Sequence, residues 1–157
     1  VHLYSYDKGD AVAALLVDRK RQEIILIEQY RYPAHDYIME LTAGALESGE
    51  DPQEGIKREI IEETGLRPIS FNYCGLFYVA PGVFTERVHV FICEVTPASA
   101  PDREAHSADE QEDICIVRIP IAQISSFLQR PMDDLKTSYA ILQFLMHYKN
   151  ETNQREG

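Results

Sequence analysis

The chain has 157 residues, 45% of them hydrophobic, which is enough to bury one core and fits a single globular domain. Its 26 acidic residues against 15 Lys and Arg give a formal charge of −11, which disfavours non-specific contact with nucleic acid or an anionic membrane. No apolar run approaches the ~18 residues of a membrane span, and no basic-then-apolar leader opens the chain, so a cytoplasmic protein is expected.

"VHLYSY" at the start reads as the middle of a strand, with further chain expected before it. "AVAALLV" (Ala11 to Val17) and "EIILIEQY" (Glu23 to Tyr30) are aliphatic runs separated by the polar "DRKRQ", predicting a hairpin buried on both faces. "YIMELTAG" predicts one further strand ending at Gly44. In "DPQEGIKREIIEET" Asp51 is placed to cap a helix, Pro52 to occupy its first position and Gly65 to stop it. "ISFNYCGLFYV" and "RVHVFICEV" read as strands joined by "APGVFTE", and "DICIVRI" as a last strand closed by Pro120.

The remainder has helical spacing at Ile121, Ile124, Phe127 and Leu128, then at Leu135, Tyr139, Leu142, Phe144, Leu145 and Tyr148. With no repeat and no linker, one α/β or α+β sandwich domain is expected over residues 1–149, with a polar tail at 150–157. Cys74, Cys93 and Cys115 have no pairing motif, lie in apolar or strand-like runs, and read as small buried thiols in a reducing compartment. The five histidines show no spacing that points to chemistry.

The segment from Gly44 to Leu66 holds seven carboxylates among nine charged side chains. At 100° per residue, Glu62 and Glu63 lie about −60° and +40° around the helix from Glu59, so three carboxylates share a stripe. Such like charges repel. Hard divalent cations such as Mg²⁺ or Mn²⁺ take several carboxylates, whereas zinc favours His and Cys spacings absent here. A solvated face is the alternative, with Arg58 four residues after Glu54 and four before Glu62.

Gly44, five residues, Glu50, seven residues, then Arg58-Glu59-Ile60-any-Glu62-Glu63-any-Gly65-Leu66 resembles a complete Nudix box, with all nine constrained positions filled. The order of strands and helices also resembles the Nudix α/β/α sandwich with a mixed sheet. The resemblance implies a hydrolase acting on nucleoside diphosphates linked to another moiety. It implies that Glu59 and Glu63 are the principal metal ligands, Glu62 assists, and the Ala43 carbonyl contributes. Arg58 would orient the carboxylates, with Glu50 in support.

"SADEQEDI" resembles the catalytic loop of the ADP-ribose pyrophosphatases within the family, which implies Glu110 as the base and Glu112 as an auxiliary ligand, with the two roles exchangeable. Pro81, sixteen residues after Gly65, and "APGVFTERVHVF" resemble the same subgroup. Glu86 would then face the ribose or diphosphate, Arg31 the phosphates or base, and Leu46 the substrate. Leu3 departs from the subgroup, some members of which carry arginine there. Tyr4 and Tyr6 are open between base stacking and packing. The implied substrate is a nucleoside diphosphate sugar, ADP-ribose first and GDP-mannose second, and the implied assembly a homodimer exchanging N-terminal strands. A nucleotide-sugar-binding module without turnover is the rival reading.

Overall fold

The structure is a computed structural model that describes residues 5–97, 114–130 and 134–155. Among these residues, seven strands form one mixed sheet: β1 (Ala11–Asp18), β2 (Glu23–Arg31), β3 (Asp36–Glu40), β4 (Thr42–Ala45), β5 (Leu66–Tyr78), β6 (Arg87–Pro97) and β7 (Ile114–Pro120). The main path runs β3-β2-β1-β6-β5, with β4 added to β1 and β7 to β2. Only β1 and β6 pair in parallel among the described strands. The helices are α1 (Pro52–Thr64), α2 (Ile124–Phe127, entered through a 3-10 turn) and α3 (Leu135–Arg155).

β1 and β2 are buried on both faces, as their unbroken aliphatic runs predict. Val12, Ala14, Leu16 and Ile25 pack with Ile56 and Ile60 of α1 in one layer. Their neighbours Ala13, Leu15, Ile24 and Leu26 pack with Ala140, Ile141 and Phe144 of α3 in the other. The sheet is therefore sandwiched between α1 and α3, the expected α/β/α arrangement.

Three elements depart from expectation. "YIMELTAG" is two strands rather than one: β3 pairs with β2, β4 pairs with β1, and Leu41 is the single residue between them. β5 begins at Leu66, directly after the helix stop, and carries Pro68 at a register irregularity on an edge strand, where a missing N–H is tolerated. α3 continues to Arg155, into the stretch assigned to a polar tail. Of the three cysteines expected to be buried, all are free thiols but only Cys93 is buried; Cys74 is half-buried and Cys115 is exposed on β7. No helix among the described residues is long and apolar enough to cross a membrane.

Candidate active site

The acidic helix α1 is fixed at both ends by its own sequence. Asp51 is extended and its carboxylate accepts the N–H groups of Gln53 (2.9 Å) and Glu54 (3.3 Å), while Pro52 occupies the first turn. Gly65 ends the helix at φ 63°, a left-handed position that suits glycine, and donates its N–H to the Ile61 carbonyl. Gly55, Ile56 and Ile60 are buried against the sheet.

Arg58 holds the carboxylates together. Its Nε and Nη2 each lie 3.1 Å from a Glu50 oxygen, its Nη1 donates to Glu59 at 2.6 Å and to Glu62 at 3.2 Å, and Nη2 also reaches the Ala45 carbonyl at 3.2 Å. One guanidinium thus offsets three like charges. The Glu50 bond, with help from Glu59, pushes the Arg58 pKa above its usual value, and Arg58 in turn holds the Glu50 carboxyl below the ordinary range. Glu59 behaves oppositely: burial pushes its carboxyl up, and the Arg58 hydrogen bond does not fully offset this.

Glu59 owes its position to Gly44. A β-carbon built on Gly44 would overlap the Glu59 carboxylate, so the absent side chain lets that carboxylate lie against the β4 backbone. Glu63 reaches the same strand, accepting the Ala43 N–H at 3.3 Å. Glu62 points outward, its side chain 48% exposed against 13% for Glu59.

In the structure Glu59, Glu62 and Glu63 are each held by groups of the protein. Arg58 draws Glu59 and Glu62, Glu63 sits on a backbone amide, and among the described residues no three His, Cys, Asp or Glu side chains are placed to hold one ion. In chemistry the donors still fit a hard divalent cation: they are oxygen only, and Gly44 lets the Glu59 carboxylate lie against the β4 backbone.

Arg31 lies on the same face of the sheet. Counting by twos along β2 from Ile25, which packs under α1, places Gln29 and Arg31 on the α1 side. Arg31 donates to both oxygens of Glu40, at 2.6 and 3.1 Å. Glu40 pairs with Ile27 in register and so shares that face. Glu86 forms an ion pair with Lys8 at 3.1 Å, beside a two-pronged pair between Asp10 and Arg87 at 3.0 and 2.7 Å. The Arg87 bond holds the Asp10 carboxyl below its usual range.

Leu46 turns its side chain into the layer under α1, where a β-carbon on Gly55 would meet it at 2.6 Å. Tyr6 bonds through its backbone to Val83 and Thr85 and sets its ring edge-on to Phe84 at 6.0 Å. The assigned Glu110 and Glu112, with Asp113, lie outside the described residues, as do Leu3 and Tyr4.

Sequence reasoning passed over Glu40 and the Asp10–Arg87 pair. The one available signal for Glu40 is a lone carboxylate inside the apolar "YIMEL".

A model of the NUDIX domain matches residues 7–138, most of the chain. The chain belongs to the Nudix family. The ADP-ribose pyrophosphatase of Bacillus subtilis (strain 168) is 33% identical over 135 residues, covering 85% of this chain and 71% of that protein. The GDP-mannose pyrophosphatase of Cronobacter sakazakii is 32% identical over 139 residues, covering 84% and 71% respectively. A crystal structure of an ADP compounds hydrolase superposes with a TM-score of 0.77 at 22% identity, over 90% of this chain and 74% of that one, which establishes the shared fold. This Nudix protein is therefore a hydrolase.

Proposed function

We propose that the chain hydrolyses the diphosphate bridge of nucleoside diphosphate sugars, splitting ADP-ribose into AMP and ribose 5-phosphate. The observation that carries this reading is the similarity, over most of the chain, to ADP-ribose and GDP-mannose pyrophosphatases, with the Glu59 carboxylate lying largely out of solvent against Gly44 in the box. Glu59 and Glu63 would hold a Mg²⁺ or Mn²⁺ ion, with Glu62, the Ala43 carbonyl and Glu112 completing the set. Bound there, the metal would neutralise and polarise the phosphoryl oxygens.

The remaining roles fall to the chain's own groups. Glu110 takes the proton from the attacking water. Arg58 bridges Glu59 and Glu62 through one nitrogen and so orients both carboxylates for the ion. Arg31 offers a guanidinium to the diphosphate, a match in shape as well as charge. Glu86 faces the ribose region, and Leu46 forms the wall beneath the substrate. In this reading the protein acts on small molecules in the cytoplasm, as a homodimer.

GDP-mannose is the second substrate reading, supported by the similarity to the Cronobacter enzyme over most of the chain. A panel of nucleoside diphosphate sugars with Mg²⁺ decides, with phosphate measured after a phosphatase that attacks only the monoester products. Fastest release from ADP-ribose is expected. Tight binding of the sugars without turnover would replace the hydrolase by a binding module.

A further inference from the structure

We propose that Glu40 is a positioning residue for substrate phosphates: its buried carboxylate grips the Arg31 guanidinium side-on and sets it as an anion-binding fork on the catalytic face. The inference rests on the diphosphate substrate proposed above. Glu40 has a side chain only 8% exposed, whereas that of Arg31 is 43% exposed, so the pair is buried at its carboxylate end and partly exposed at its cationic end. The two bonds, 2.6 Å from Nε and 3.1 Å from Nη2, fix the plane of the guanidinium as well as its position. An arginine held in one plane loses less freedom when it meets a second anion.

Stability alone gives a poor account of the pair, because desolvating a carboxylate costs about as much as the ion pair returns. The surroundings favour placement instead. The loop after Arg31 is closed by the Ala34 N–H on the Arg31 carbonyl (3.0 Å) and the His35 N–H on the Tyr32 carbonyl (3.2 Å). Tyr30 and Tyr37 meet edge to face across the hairpin at 5.3 Å. On the other side of Glu40, the Leu41 N–H is tied to Thr137. Three residues beyond Glu40, the same segment delivers Ala43 and Gly44 to Glu63 and Glu59. One short stretch of backbone thus sets the spacing between an anion-binding fork and the carboxylates across from it. For a protein of net charge −11, a polyanionic substrate needs such a local cation.

The test compares steady-state ADP-ribose hydrolysis, in Mg²⁺, by the wild type, Glu40→Gln, Arg31→Lys and the double variant. Glu40→Gln keeps the shape and one acceptor but loses the charged grip, so kcat/KM should fall about tenfold with the loss carried mainly by KM. Arg31→Lys keeps a cation over Glu40 but has no fork, and should show a loss of the same kind. The double variant should be no worse than Arg31→Lys by more than about twofold, because the two residues act as one unit. If Glu40→Gln does not fold, Glu40→Asp takes its place; the shortened carboxylate should also raise KM. A wild-type KM in the Glu40 variant alongside a raised KM in Arg31→Lys would overturn the positioning role while leaving the substrate reading intact. A wild-type KM in both, with turnover retained, would remove Arg31 from the phosphate site and the inference with it. Absence of ADP-ribose turnover in the wild type would instead strike the substrate reading.

Discussion

The Leu41 amide donates a buried 3.1 Å hydrogen bond to the Thr137 hydroxyl, ninety-six residues away in the chain. Leu41 is the break between β3 and β4, where its N–H leaves the sheet ladder, and Thr137 in the first turn of α3 supplies the acceptor. The hydroxyl is free to accept because its own proton goes to Asp134 at 2.7 Å. Helix α3 thereby holds the segment that ends at Gly44.

Thr137→Val retains the shape and removes the acceptor, leaving a buried N–H unpaired. A loss of about 1–2 kcal/mol is expected, which lowers Tm by about 2–4 °C per kcal/mol in a domain of this size. Differential scanning calorimetry measures it. An unchanged Tm would show that the Leu41 amide has another partner.

Asp134 gives the fold a dependence on acid. Burial alone would raise its carboxyl, but the Lys136 ammonium together with the Thr137 hydroxyl and amide outweighs burial and holds it below the ordinary value. Since the folded pKa is the lower one, its contribution is fully present above about pH 4 and disappears as pH falls through the folded value. Urea titrations of the wild type and Asp134→Asn should therefore differ in midpoint at pH 7 and converge toward pH 2. A gap that stays constant with pH would contradict the assignment.

How much of this was legible beforehand depended on the range of the forces involved. Helix α1 was readable because Asp51, Pro52 and Gly65 act within one turn of the positions they determine. The β1–β2 hairpin was readable from two aliphatic runs and a polar turn. The break at Leu41 was not, since "YIMELTAG" is continuous in character and its interruption is tied to Thr137. Helical angles placed three glutamates on one stripe, yet they could not show that Arg58 would draw two of them and a backbone amide the third. Glu40 went unseen because its partnership with Arg31 exists only once β2 and β3 are in register.

A buried hydroxyl offers a contrasting test. Thr42 is fully buried on β4 and its Oγ1 has no hydrogen-bond partner among the described residues. Thr42→Val removes that unmet polar group at nearly constant volume and should stabilise the metal-free protein by about 1 kcal/mol, seen as a Tm rise of about 2–4 °C. A fall in Tm would mean that the hydroxyl is satisfied in solution.

Gly44→Ala probes the contact on which the site depends. The new methyl occupies the position of the Glu59 carboxylate, which can swing away because it ends a flexible side chain. Displacement of a ligand by about an ångström costs roughly 10²-fold in turnover. We therefore expect a deep loss of activity with a melting temperature close to wild type. Full activity in this variant would show that Glu59 does not act from beside Gly44.

The central claim is that the box carboxylates, restrained by Arg58 in the free protein, come together on a hard cation. The direct measurement is the melting temperature of the wild type and of a Glu59→Gln, Glu63→Gln variant during a Mg²⁺ titration. A ligand at a hundred times its Kd stabilises by about 2.7 kcal/mol, so the wild type should gain several degrees while the variant gains none. Melting curves that ignore Mg²⁺ in both proteins, or rise equally in both, would contradict the account.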